Sequence, residues 1–179
     1  MNFFVNYTNI IYIYHFYLVK SKIAKYGLRY MDKIVGKTKH GEITIDELAQ
    51  LQPGLGKLMD DMSTRFTYMY HSAKGGNWKL AHYQYRSFIS IMKKIKIVRP
   101  KYTTDMDAYE KHFMIPVKEA IEAEDWKKFE ETYKKSVEGS DHYHDKYDFS
   151  YIRFITPKNP PEHMDLGPPE KFSRKKKPL

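Results

Sequence analysis

The stretch Gly139–Asp148, GSDHYHDKYD, holds two histidines and three aspartates in ten residues. Read as a helix, it puts Asp141 and His144 on one face and His142 and Asp145 on another, each pair three residues apart. Imidazole and carboxylate groups at that spacing suit a divalent cation, zinc among them, with Asp141, His142, His144 and Asp145 as the ligand set. The same residues also make an ordinary solvated helix end, where histidine sits favourably on the negative pole of the helix dipole. The residue types favour this second reading over a metal. Shortly after comes YIRF, with Arg153 between Ile152 and Phe154. Its guanidinium could clamp an anion or pair with a carboxylate and tie the following segment down. The second is the stronger expectation.

Other site chemistries find no support. The chain has no cysteine, which excludes disulfides, thiolate metal sites, a cysteine nucleophile and thioether-attached haem. A di-iron carboxylate site needs two Glu-x-x-His pairs, and the sequence contains none. PGLGK, Pro53–Lys57, lacks the spacing of a phosphate-binding loop. Ser63, Ser72, Ser87 and Ser136 stand in no nucleophile motif. The expectation is a protein that is not an enzyme.

The net charge of +9 at first suggests a nucleic-acid partner. It divides into +6 on residues 1–40, +5 on residues 171–179 and −2 between them. A phosphate-tracking groove needs its charge on the fold, so no specific nucleic-acid partner is expected. Residues 3–19 are apolar and aromatic, but interrupted by Asn6, Asn9 and His15. They make a poor signal peptide and a marginal span, so the expected location is cytoplasmic and membrane association is not expected. Both Met1 and Met31 are open as the start.

The positioning elements read as helices. Leu48, Leu51, Leu55, Leu58, Met62, Phe66, Met69 and Ala73 recur every three or four residues, with Thr44 or Asp46 as cap, a break at Pro53-Gly54 and an end at Gly75-Gly76. Asn77 caps a second helix with Trp78, Ala81, Tyr85, Phe88, Met92 and Ile95 inward, stopped at Arg99-Pro100. A third runs from Thr103 or Thr104 through Met106, Tyr109, Phe113, Val117 and Ala120, interrupted by Pro116. Asp125 caps a fourth, with Trp126, Phe129, Tyr133 and Val137 inward and a stripe continuing past Gly139 to Ser140, His144 and Tyr147. The second and fourth helices open alike, GGNWKLAHYQY and AEDWKKFEETY. No segment shows convincing strand alternation. The expected fold is all-α, an antiparallel up-down four-helix bundle over residues 43–150, after a leader of residues 1–42 and before an extended, proline-rich and basic tail of residues 151–179.

LAQLQPGLGKLM, AKGGNWKLAHYQ, RPKY, AIEAEDWKKFEETYKKSVEGSDHYH and YIRFITPKNPP together resemble the class II cytochrome c, or cytochrome c′-like, four-helix bundle family over residues 45–166. Haem-bearing members carry Cys-x-x-Cys-His near the end of the last helix. Here that window reads Ser140-Asp141-His142-Tyr143-His144, with Ser140 and Tyr143 at the cysteine positions and the axial histidine kept as His144. The resemblance is to a haemless branch. It implies a non-enzymatic small-ligand or protein-binding module without cofactor, and a homodimer as partner. On this reading the interior beside His144 is filled, and Asp141, Tyr147 or backbone satisfies the imidazole. The alternative is a redox or gas-binding protein with noncovalent haem on His144. It predicts a cavity between the first and last helices. The cofactor-binding candidates are His144, Tyr143, Ser140, Arg153, Met62 and Phe66, with Leu58 and Met59 beside the last two.

Overall fold

The structure, a computed structural model, describes residues 35–168. The apolar segment 3–19, Met31 and the basic run 171–179 lie outside the described residues. The chain divides into two compact units, Met1–Gln52 and Pro53–Leu179. The described residues are mostly helical, an all-α chain but for one short hairpin.

That hairpin corrects the expectation of no strand. Strands β1 (Val35–Thr38) and β2 (Gly41–Thr44) pair antiparallel, from Val35 opposite Thr44 to Thr38 opposite Gly41. Strands of four residues are too short for alternation to register in the sequence. The turn sets the pairing instead: the Thr38 hydroxyl donates to the Gly41 carbonyl and accepts from the His40 N–H. Thr44 then ends β2 and caps helix α1 (Ile45–Gln50). Its hydroxyl accepts from the Glu47 N–H while the Glu47 carboxylate accepts from the Thr44 N–H, a capping box that satisfies two free donors at once. The predicted core positions Leu48 and Leu51 are in fact 59% and 70% exposed. The stripe they share with Leu55 is interrupted at Pro53-Gly54, and the two sides fall in different units.

In the second unit, α2 (Leu55–Lys74) and α3 (Trp78–Val98) are joined by Gly75-Gly76-Asn77. Gly76 takes φ +75°, a left-handed backbone that reverses the chain at little cost only for glycine. A single turn of 3₁₀ helix, Pro100–Tyr102, leads into α4 (Thr103–Tyr109). A widened π-helical turn, Glu110–Met114, separates it from α5 (Ile115–Glu122). The interruption expected at Pro116 is thus present one turn earlier, because proline has no N–H to continue the ladder. Last comes α6 (Trp126–Lys146). The echoed entries behave alike: Asn77 Oδ1 accepts from the Leu80 N–H at 3.1 Å and Asp125 Oδ1 from the Lys128 N–H at 3.0 Å. Trp78 and Trp126 both pack on Phe129, with centroids at 6.2 and 5.8 Å.

The core has two parts. The larger gathers Phe66, Met69, Tyr70, Tyr85, Phe88, Met92, Tyr109, Val117, Phe129 and Tyr133. The smaller is Leu58, Ile91, Ile95 and Tyr102. The described residues after α6 have no regular structure but are held down: Leu166 is buried, the Gly167 carbonyl accepts from Asn77 Nδ2 at 2.8 Å, and Tyr68 bonds His163 at 2.8 Å.

Gly139, mid-helix in α6, is there for space. A Cβ on it would lie 2.7 Å from the Phe113 ring, which projects from the π-helical turn. Gly139→Leu is expected to lower stability by about 1–3 kcal/mol through overpacking, read as a lower urea midpoint. An unchanged midpoint would mean that Phe113 simply steps aside.

Candidate functional site

Between the two parts of the core lies a cavity of about 690 Å³. Its volume falls inside the usual span for small-molecule sites, roughly 300–1,000 Å³. Helix α2 contributes Leu55, Met59, Met62, Ser63 and Phe66; α3 contributes Phe88 and Met92; α4 contributes Asp105, Met106 and Tyr109; α6 contributes Ser140, Tyr143 and His144. The chain that follows α6 closes a further side with Phe149, Tyr151, Ile152 and Phe154.

Helical spacing explains the convergence. Met59, Met62, Ser63 and Phe66 stand on one stripe of α2, and Ser140, Tyr143 and His144 on one stripe of α6. The wall stays open because several of its side chains are small (Gly56, Ser63, Ser140) and because the Tyr143 ring turns onto Tyr109, edge to face at 6.0 Å. The expected filled interior beside His144 is therefore corrected: the two core clusters complete their own packing and leave the space between them.

Five of the six cofactor-binding candidates, His144, Tyr143, Ser140, Met62 and Phe66, line this cavity. Arg153 does not. Its guanidinium spans the Asp145 carboxylate, at 2.5 and 3.1 Å, and so ties the post-helix segment to α6. Leu58 does not line the cavity; it packs with Ile91, Ile95 and Tyr102, and Met59 and Met62 pack against that cluster. The proposed metal set is not brought together either. Asp145 is occupied by Arg153, Asp141 accepts from the Phe154 N–H at 3.1 Å, and His142 is exposed. Among the described residues no three His, Asp or Glu side chains converge on a metal position.

His144 has the most distinctive surroundings. Its ring stacks on Phe154 at 5.5 Å, and its Nδ1 is buried with no hydrogen-bond partner. Neither expected partner serves it. Asp141 is used as above, and the Tyr147 hydroxyl donates to Asp105 at 2.5 Å. Burial holds the His144 pKa below its ordinary value, Arg153 adds to that, and Asp141 and Asp145 only partly oppose it. The ring is neutral near pH 7. Asp105 is held below the usual carboxylate range by its bonds from Lys146 and Tyr147. The Tyr147 hydroxyl is in turn pushed up to about 12 by Asp105.

Compared with protein-family models, with curated proteins and with solved structures, the chain matches none. What the site can do is therefore argued from its wall. Sequence reasoning missed the contribution of α4, through Asp105, Met106 and Tyr109, to this space. It also missed the post-helix wall, although the aromatic density of YDFSYIRF marked it. Among the described residues no helix is long and apolar enough to cross a membrane.

Proposed function

We propose that the Pro53–Leu179 unit is a non-enzymatic small-ligand-binding module. In this reading it is an antiparallel up-down four-helix bundle of the haemless cytochrome c′-like kind, trailed by a proline-rich extended segment and working in the cytoplasm, as a homodimer if the resemblance extends so far. The observation that carries the reading is the 690 Å³ apolar cavity on His144. A concave apolar wall of this size can remove most of a small molecule's apolar surface from water.

The residues fit haem poorly. The chain has no cysteine for a thioether. Among the described residues no lysine or arginine lines the cavity to meet a propionate, and Arg153 is bound to Asp145. His144 Nδ1 lacks the carbonyl or carboxylate that normally orients a metal-binding imidazole.

Nile red, a neutral apolar dye, tests the cavity. The full chain is expected to bind it one to one with a fluorescence rise, and Ser63→Trp, which fills the space, is expected to abolish the rise while keeping the helical circular dichroism. Equal binding by both proteins would overturn the reading. So would a saturable Soret shift with hemin that disappears in His144→Ala, which would return the protein to haem chemistry.

A further inference from the structure

We infer that the ligand of this cavity is an uncharged aromatic or polycyclic molecule carrying a hydroxyl or similar hydrogen-bonding group that meets His144. The inference rests on the binding reading above and adds the chemistry of what binds.

Charge is the first argument. Among the described residues the wall carries two carboxylates, Asp60 and Asp105, and no lysine or arginine. Asp105 is paired with Lys146 at 2.7 Å and with the Tyr147 hydroxyl, whereas Asp60 is exposed to solvent and shares Lys57, at 3.4 Å, with Asp61 at 3.0 Å. An ammonium ligand would have to compete with those lysines. An anionic ligand fares worse. The nearby cations Lys57, Lys146 and Arg153 are each committed to a carboxylate, so a buried anion would stay unpaired beside Asp60 and Asp105. An unpaired charge in an apolar space is strongly disfavoured.

Shape and polarity supply the rest. The wall is rich in aromatic rings, from Phe66 and Phe88 to Tyr109 and Phe154, whose faces and edges suit a flat partner. Met59, Met62, Met92 and Met106 add thioethers that adapt to irregular outlines and favour aromatic contact. Against this background His144 is a polar wall residue with an unanswered ring nitrogen. A buried polar atom without a partner is uncommon in folded proteins. Nδ1 is itself closed off, so a ligand hydroxyl, as donor or acceptor, meets the imidazole at its other nitrogen, Nε2.

A matched naphthalene series separates these terms in the full chain at pH about 7.5, where an imidazole of ordinary or lowered pKa is neutral. By fluorescence titration, 2-naphthol is expected to bind at least about tenfold tighter than 2-naphthoate or 2-naphthylmethylammonium. It should exceed naphthalene by about two- to tenfold, and this last margin should vanish in His144→Phe. His144→Gln, which keeps a hydrogen-bonding group, provides a second variant should the phenylalanine form fold poorly, and should retain part of the margin. Charged probes binding as well as 2-naphthol would overturn the inference, as would a 2-naphthol margin unchanged in both variants. If Nile red binds the wild-type chain and not Ser63→Trp, either failure falls on the ligand chemistry alone. If Nile red does not bind, the cavity reading itself falls.

Discussion

Tyr133→Ala is expected to cost about 3–5 kcal/mol of folding stability, a large share of the roughly 5–15 kcal/mol that holds a domain together. Tyr133 is fully buried in α6. Its ring stacks on Phe66 of α2 at 4.1 Å and 16°, and touches Tyr70 at 4.9 Å and Phe129 at 5.6 Å. Its hydroxyl donates to the Phe66 carbonyl at 3.2 Å, and burial holds its pKa well above the ordinary tyrosine value. Truncation removes the ring from the centre of the aromatic cluster and leaves a void that helices on both sides cannot close. Tyr133→Phe keeps the ring and loses only the hydrogen bond, about 0.5–1.5 kcal/mol. Urea midpoints of the two variants divide packing from hydrogen bonding. Equal losses would show that the stacked ring contributes little. The result also bears on the cavity, because Phe66 is part of its wall. A Phe66 ring freed from Tyr133 can swing into the space, so any Tyr133→Ala protein that remains folded should bind Nile red more weakly.

Much of the helical pattern was legible because its signals are local. Thr44, Asn77 and Asp125 cap the helices that follow them because a short polar side chain reaches a free N–H two or three residues on. The inward stripe of α3 holds from Ala81 to Ile95, all buried. Leu48 and Leu51 show the limit. Periodicity reveals that a face is apolar; it does not reveal whether anything covers that face. The β1–β2 hairpin failed for a different reason, since its register comes from turn geometry rather than from alternation.

The site was legible in its membership and not in its volume. Ser140, Tyr143 and His144 fall on one helical face by spacing alone, as do Met62 and Phe66. Whether two inward faces touch depends on helix separation, and that is set elsewhere, by the Phe66–Tyr133 stack on one side and the Leu58–Tyr102 cluster on the other. Arg153 illustrates the same gap. The sequence offers it several carboxylates; the backbone after α6, with Asp148 at φ +63°, brings it to Asp145.

Acidification from pH about 7 towards 5 is expected to weaken the fold. Two histidines carry the effect, His71 buried and His144 half-buried. Desolvation lowers the pKa of His71, with Lys74 adding to it and a bond from the ring to the Asn159 backbone opposing it. Desolvation likewise lowers that of His144, with Arg153 adding and Asp141 and Asp145 opposing. Each also has a buried ring nitrogen with no partner, Nε2 of His71 and Nδ1 of His144. In the unfolded chain both rings titrate near 6.5. The unfolded state therefore binds more protons in this window, and stability falls as pH falls. The contribution is complete above about pH 6.5 and is lost as pH drops through the folded-state values. Each ring adds a slope of at most about 1.4 kcal/mol per pH unit. Asp105, Glu47 and Glu131, all held below the usual carboxylate range, lose their contributions only at lower pH, so the two windows separate. Urea midpoints measured from pH 7 to 5 should slope downward in the wild-type chain, less steeply in His71→Gln and in His144→Gln, and least in the double variant. The comparison is of slopes, so an overall loss of stability in a variant does not obscure it. A double variant with the full wild-type slope would place the acid sensitivity outside these two rings. A bound uncharged ligand sharpens the contrast at one of them. It binds the neutral form of His144 and leaves His71 unaffected, so 2-naphthol should steepen the His144 share of the slope, holding the ring neutral to lower pH, and leave the His71 share intact.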